Sequence, residues 1–195
     1  PMGIPKTGVF ALYDLIGIDL MRDVLKSFIK ELPKNDVFQE VAQNIPIIDK
    51  LIDSGYTGRK GKGGFYRIKK EDGKKTLEAL NLETFNYTTA KKIDLNIDKV
   101  DLKKLITRED KYGKYAWSVL SKIIKYSSSL VPSITNEYND IDEALRLGFN
   151  WSKGPFEMLQ EIEPENFFKK IDNFDNNIFL KNFFETKEKK FYKNR

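Results

Sequence analysis

Apolar positions recur at helical spacing from Gly8 onward. Val9, Leu12, Leu15 and Ile16 lie three and four residues apart and predict a helix over VFALYDLI. Gly17 suits its C-terminal cap, and Asp19 an N-cap for a second helix, LMRDVLKSFIKEL. There Met21, Val24, Leu25, Phe28 and Leu32 share one stripe, and Pro33 stops the helix. A shorter helix is expected from Asp36 to Gln43, and another from Pro46, a good first-turn proline, to Asp53, where Ser54-Gly55 ends it.

The period then changes. Gly58, Gly61, Gly63 and Gly64 make a loop, after which Phe65-Tyr66-Arg67-Ile68 alternates like a strand. Glu71-Asp72-Gly73 is a turn signal, so a small β-hairpin with Thr76 to Leu80 is predicted. Asn81 to Asp101 is polar and mixed and reads as a linker. Helical spacing returns from Tyr115 to Leu130, closed by Pro132. Asn139-Asp140 can cap Ile141 to Leu147, with Gly148 ending that helix. Gly154-Pro155 opens another through Phe156, Met158, Leu159 and Ile162, and Pro164 restarts the chain for Glu165 to Ile171. The lysine-rich tail from Ile178 to Arg195 carries Phe183, Phe184, Phe191 and Tyr192 and reads as a docked amphipathic helix that frays. One pattern echoes: Gly8-Val9-Phe10-Ala11-Leu12 and Gly154-Pro155-Phe156-Glu157-Met158 each open a helix with Gly, any residue, Phe, any residue, then Leu or Met.

Composition narrows the chemistry. At 195 residues, with 40% hydrophobic and 13% aromatic side chains, the chain can bury a core. No apolar run approaches the ~20 residues of a membrane helix, and the start, Pro1-Met2-Gly3-Ile4-Pro5, has no signal-peptide pattern. Zero Cys fits a reducing compartment, and a cytoplasmic location is expected. Zero His removes the commonest general base and zinc ligand. Serine triads, cysteine proteases and ordinary zinc sites are thereby excluded, so neither a catalytic nor a metal residue is assigned. The net charge of +5 sums 34 basic and 29 acidic residues, a mixed surface rather than a polycation. A start at Pro1, without an initiator Met, suggests an excised piece.

Three segments together resemble the C-terminal domain of 3-hydroxyacyl-CoA dehydrogenases. They are GIPKTGVFALYDLIGIDL (Gly3 to Leu20), GRKGKGGFYR (Gly58 to Arg67) and NDIDEALRLGFNWSKGPFEML (Asn139 to Leu159). Their order and spacing are similar to a tandem pair of such domains, as in the larger members fused to an enoyl-CoA hydratase. The resemblance runs to about Ile171. It implies an all-α fold: 6-phosphogluconate dehydrogenase C-terminal-like helical domains in tandem, with a small β-hairpin after the first copy. Residues 1–90 would be the first copy, truncated at its start, and residues 91–195 a second, degenerate one.

The resemblance also implies a reaction, the NAD-dependent oxidation of a 3-hydroxyacyl-CoA in fatty-acid β-oxidation. Its general base is a His oriented by a Glu, both in a dinucleotide-binding domain whose Gly-rich fingerprint this chain lacks. The partners implied are the acyl-CoA substrate, that domain of the same polypeptide, and a second copy in a homodimer. Alone, the chain is expected to be inactive.

By the same resemblance, Lys60 falls where the family has a lysine that reaches the bound dinucleotide. Physically, a cation on a glycine loop can approach a phosphate closely; the plainer reading makes Arg59, Lys60 and Lys62 solvated charges on a turn. Lys6 and Thr7 precede a helix N-terminus that attracts anions and could meet the acyl-CoA side of the cleft. Plain N-capping by Thr7 is the plainer reading there. The loop departs from the family's Pro-Met-Gly-Pro-Phe form.

Asp14 and Asp19 could form a carboxylate pair, against a buried acceptor and a helix cap. Asp140, Asp142 and Glu143 resemble a capping cluster and lack calcium-loop spacing. Leu147 stands where fused relatives can carry a substrate-contacting Tyr. Trp117 and Trp151 read as core or interface. Two other functions compete: a free-standing helical interaction module, and a basic nucleic-acid binder. Interspersed acids and the lack of a reader motif argue against the second.

Overall fold

The computed structural model describes residues 2–5, 7–91, 100–171, 177–186 and 190–192. The chain divides into two compact units, one of residues 6–94 and one joining residues 1–5 to residues 95–195.

In the unit of residues 6–94, α1 (Val9–Ile16) matches the predicted helix, and α2 (Ile18–Glu31) follows it after one residue. That residue is Gly17, whose φ of 116° lies where side chains are strained. It serves as C-cap of α1 and N-cap of α2 at once, so Asp19 sits inside the first turn of α2 and is not its N-cap. Thr7 does not cap α1 either; the N-cap is Gly8, with no side-chain hydrogen bond. The expected helix from Asp36 shrinks to α3 (Phe38–Val41), while α4 (Pro46–Asp53) matches its prediction. Ile18, Ile48, Leu51, Phe65 and Leu80 form the core.

Strands β1 (Tyr66–Glu71) and β2 (Lys74–Leu80) pair antiparallel, with Tyr66 opposite Ala79 and Glu71 opposite Lys74. Asp72 and Gly73 between them both have positive φ, as a two-residue hairpin turn of matching twist requires. A third strand, β3 (Tyr87–Thr89), pairs with β2 where a linker was expected. The Asn81 carboxamide oxygen accepts from the backbone N–H of Glu83 and Thr84, both at 2.9 Å, and turns the chain back. Residues 92–99 of that expected linker lie outside the described residues.

The other unit is helical: α5 (Leu102–Thr107), α6 (Lys111–Ser129), α7 (Tyr138–Phe149), α8 (Pro155–Glu161), α9 (Pro164–Lys170) and α10 (Ile178–Glu185). Helix α5 had no prediction. Its start is set by Asp101, whose carboxylate accepts from Lys104 N–H at 2.7 Å. Helix α6 begins four residues before the predicted Tyr115 because the Asp110 carboxylate accepts from the N–H groups of Tyr112 and Gly113. Helix α7 runs through Gly148 and ends at Asn150, which takes the left-handed conformation. Asn139 and Asp140 therefore lie in its first turn and are not its caps. Leu120, Ile124, Phe156, Leu159, Phe167 and Leu180 lie at the centre of the core, and Trp117 and Trp151 pack against it. The Gly3 carbonyl accepts from Ser152 N–H at 2.8 Å, which ties residues 2–5 to this unit.

Among the described residues the structure is thus mostly helical, with one small antiparallel sheet of three strands in place of a two-stranded hairpin. Among the described residues no helix is long and apolar enough to cross a membrane. Helical apolar spacing is not matched by burial here: Val24 and Phe28 on the stripe of α2 are exposed, and so are Leu12, Leu15 and Ile16 of α1. These two helices present an open apolar surface.

Truncating Leu120, fully buried, to Ala should cost about 2–5 kcal/mol of unfolding free energy by urea titration. Leu147→Ala, at a side chain 79% exposed, should change it by less than about 0.5 kcal/mol. Equal effects would contradict this packing.

Candidate functional site

The glycine loop before β1 is held by one carboxylate. Asp14, on the inward face of α1 and 4% exposed, accepts from Phe65 N–H through Oδ1 at 2.8 Å and from Tyr66 N–H through Oδ2 at 2.7 Å. Its main-chain carbonyl accepts from Arg59 N–H at 2.8 Å, at the other end of the loop. Gly64 lies against the carboxylate so closely that a Cβ there would run into Oδ1. Gly58 likewise meets the Asp14 backbone, and its φ of 97° again favours glycine. Two glycines of the loop are thus required by close approach.

Burial pushes the Asp14 carboxyl above the usual carboxylate range, while the Tyr66 and Phe65 N–H groups and the Arg59 charge pull the other way. A hydrogen-bonded pair of side chains backs the strand: Arg67 Nε donates to Glu78 at 2.7 Å, and its guanidinium lies 3.9 Å over the Tyr87 ring. Burial, together with the negative field of Tyr56, pushes the Tyr87 phenol up to about 12.

Lys60 stands on this loop with its side chain 55% exposed, and Nζ meets Asp19 Oδ1 at 2.8 Å. That hydrogen bond holds the Asp19 carboxyl below the usual range. The plain reading of three solvated charges is therefore too simple for Lys60, which has a defined partner. Asp14 and Asp19 do not converge as a catalytic pair: one is spent on two amides, the other on Lys60. Thr7 is exposed beside Gly8, and Lys6 lies outside the described residues. Leu147 is exposed.

Sequence reasoning missed Asp142. It belongs to no capping cluster but is fully buried, accepting from Phe156 N–H and Glu157 N–H, each at 2.9 Å, and from the Tyr192 hydroxyl at 2.6 Å. Gly154 abuts this carboxylate as Gly64 abuts Asp14. Burial pushes the Asp142 carboxyl up and the Tyr192 phenol up as well.

The internal echo has a structural counterpart longer than the sequence suggested. Phe10 packs on Phe65 with ring centroids 4.6 Å apart, and Asp14, four residues after Phe10, grips Phe65-Tyr66. Phe156 packs on Phe191 at 5.4 Å. Gln160, four residues after Phe156, grips Tyr192, accepting from its N–H at 2.7 Å and donating to its carbonyl at 3.1 Å. The signal available in the sequence was the Phe-Tyr dipeptide recurring at 65–66 and 191–192, beyond the Ile171 limit drawn for the resemblance.

Comparison with known proteins bears on this loop. Residues 1–68 match the family model described as 3-hydroxyacyl-CoA dehydrogenase, C-terminal domain. A Rickettsia felis protein named for a fatty acid oxidation complex trifunctional enzyme is 38% identical over 174 residues, 89% of this chain and 24% of its own length. Its Rickettsia prowazekii namesake is 40% identical over 158 residues, 81% of this chain and 22% of its own. A Bacillus subtilis protein named for a 3-hydroxyacyl-CoA dehydrogenase is 28% identical over 170 residues, covering 83% of this chain and 21% of its own length. The chain therefore spans under a quarter of the length of these relatives. No solved structure matches it at a significant level.

Asp14→Asn leaves one carbonyl oxygen where two acceptors are needed, with an NH₂ facing a backbone N–H. It should cost about 1.5–3 kcal/mol in urea unfolding and speed amide exchange at Phe65 and Tyr66. At Asp19 the sign runs through Lys60, because losing the cation withdraws what favours the anion. The Asp19 carboxyl titration, followed by carbon NMR, should therefore move up toward the ordinary carboxylate range in Lys60→Gln. An unmoved midpoint would show that the ion pair is absent in solution.

Proposed function

We propose that this chain, whose residues 1–68 match the model of 3-hydroxyacyl-CoA dehydrogenase C-terminal domains, is the C-terminal part of an NAD-dependent 3-hydroxyacyl-CoA dehydrogenase of fatty-acid β-oxidation. The observation that carries the reading is the loop from Gly58 to Tyr66. It lies inside the matched residues, is pinned at both ends by Asp14, and presents Lys60 at its surface. Oxidation of CH–OH by hydride transfer to NAD is the cofactor's chemistry, and no residue of this chain is assigned a catalytic role.

Lys60 is the cofactor-binding residue of this reading. A half-exposed ammonium on a glycine loop fits an anionic group such as a dinucleotide phosphate. Asp19 holds that ammonium in place beforehand and competes for it when a phosphate arrives. Thr7, and Lys6 by its place in the sequence, face the acyl-CoA substrate in the same reading. The general base lies in the dinucleotide-binding domain, in keeping with the absence of His from all 195 residues.

The two parallel grips, Asp14 on Phe65-Tyr66 and Gln160 on Tyr192, support a pair of related domains over residues 1–90 and 91–195. The second has exchanged a carboxylate for an amide and has no glycine loop before its Phe-Tyr pair. The open apolar surface of α1 and α2 supports association, with the dinucleotide-binding domain as the partner and a homodimer as the alternative. A cytoplasmic location accompanies this reading.

The isolated chain should show no turnover of acetoacetyl-CoA with NADH, and turnover would overturn the placement of the base outside it. Exchanged for the matching region of the Rickettsia felis relative, it should give an active dehydrogenase. In that chimera Lys60→Ala should raise the KM for NADH about tenfold with kcat little changed, the mark of lost binding energy shared by ground and transition states. A fall in kcat alone would contradict a binding role.

A further inference from the structure

Residues 190–192 lie in no helix or strand, yet Phe191 is only 5% exposed. Side chains from three helices hold them. The Gln160 carboxamide of α8 accepts from Tyr192 N–H at 2.7 Å and donates to the Tyr192 carbonyl at 3.1 Å, the two bonds a neighbouring strand would otherwise make. On α7 the Tyr138 hydroxyl donates to the Phe191 carbonyl, and Asp142 Oδ2 accepts from the Tyr192 hydroxyl at 2.6 Å. The Phe191 ring stacks on Phe183 of α10 at 3.8 Å, with Phe156 at 5.4 Å and Tyr138 edge-on at 5.2 Å. Among the described residues, no hydrogen bond joins the main chain of residues 190–192 to another main-chain group.

These contacts have the form of peptide recognition. A strand added to a sheet is held by its main chain, whereas here every bond needs a particular side chain of the wall. The walls have support of their own: α7 packs on α8, and α8 and α10 both pack on α6. The two side chains of the segment are read separately. An aromatic enclosure takes the Phe ring, and the fully buried Asp142 carboxylate takes the phenol. That carboxylate also accepts from Phe156 N–H and Glu157 N–H, so a Phe in place of Tyr would leave it one partner short inside the core. The other Phe-Tyr pair, Phe65-Tyr66, leads into β1 and its pairing with β2, and has no such independence from the main chain around it.

We propose that the groove between α7, α8 and α10 is a binding site for a peptide segment carrying Phe followed by Tyr, and that Phe191-Tyr192 fills it as a built-in, displaceable competitor. The site stands on these contacts and not on the dehydrogenase reading. Failure of the chimera would leave it standing. A partner with Phe-Tyr in an exposed, non-helical segment competes with residues 191–192 for one set of side chains.

The test uses the full chain carrying Phe191→Ala/Tyr192→Ala, which empties the groove, and the capped tetrapeptide Lys-Phe-Tyr-Lys, the sequence of residues 190–193. Calorimetric titration should show saturable one-to-one binding to this variant. Binding to the parent should be at least about tenfold weaker, because its own segment competes at high effective concentration. Lys-Phe-Phe-Lys should bind the variant about tenfold less tightly for want of the phenol, and Lys-Ala-Ala-Lys not at all. Adding Gln160→Leu should weaken binding of Lys-Phe-Tyr-Lys by about tenfold as well. Absence of saturable binding to the folded variant overturns the proposal. So does equal affinity for variant and parent, or equal affinity for the three tetrapeptides. Thermal melts report folding of each variant. If the double variant does not fold, Tyr192→Leu replaces it, keeping apolar volume and losing the hydroxyl. Lys-Phe-Tyr-Lys should then bind it more tightly than the parent, and equal binding overturns the site.

Discussion

Everything about the loop follows from the cost of burying one charge. Asp14 sits almost out of solvent, and a bare carboxylate there would be strongly unfavourable. It is tolerated because two consecutive amides, Phe65 N–H and Tyr66 N–H, take one oxygen each. The arrangement works in both directions. The amides at the entrance to β1 would otherwise lack partners, and the carboxylate fixes where the strand begins. Phe65 then turns inward to meet Phe10 and Ile18, so the same bonds that satisfy polar atoms also seat the core.

Glycine appears here for want of space rather than for flexibility. At Gly64 and Gly154 the neighbouring carboxylate occupies the volume a Cβ would need, so carboxylate and glycine form one device used in each unit. The second unit adds a variation. Gln160 both accepts from and donates to Tyr192, satisfying an N–H and a C=O on one residue without burying a charge. Asp142 supplies the buried carboxylate there and holds the first turn of α8 together with the Tyr192 hydroxyl.

Much of this was legible in the sequence where a local cause sets the element. Pro46 and Ser54 bracket α4, Gly154-Pro155 opens α8, and Asp72-Gly73 makes the hairpin turn, all by short-range sterics. Errors arose where a side-chain hydrogen bond outweighed the pattern. Asp101 starts a helix that the apolar spacing does not announce, Asp110 starts one earlier than that spacing suggests, and Asn81 returns the chain for β3. The charge on Lys60 was visible, but its tie to Asp19 was not, because the two are 41 positions apart in sequence. Asp142 was the hardest residue to read. An aspartate near a helix start looks like a cap, and only the packing of Gly154 against it reveals burial.

The bond from Ser152 N–H to the Gly3 carbonyl makes the unit of residues 6–94 an insertion within the other unit. That nesting bears on the order in which the molecule assembles. Closing a contact across 149 positions is entropically expensive for an open chain, and the cost grows with the logarithm of the loop. Once the inserted unit has folded, most of that loop no longer counts. During synthesis residues 2–5 precede the inserted unit yet meet Ser152 only after that unit has been made, so the unit that holds them is completed last. Substitutions that loosen the grip of Asp14 would then slow maturation of the other unit as well.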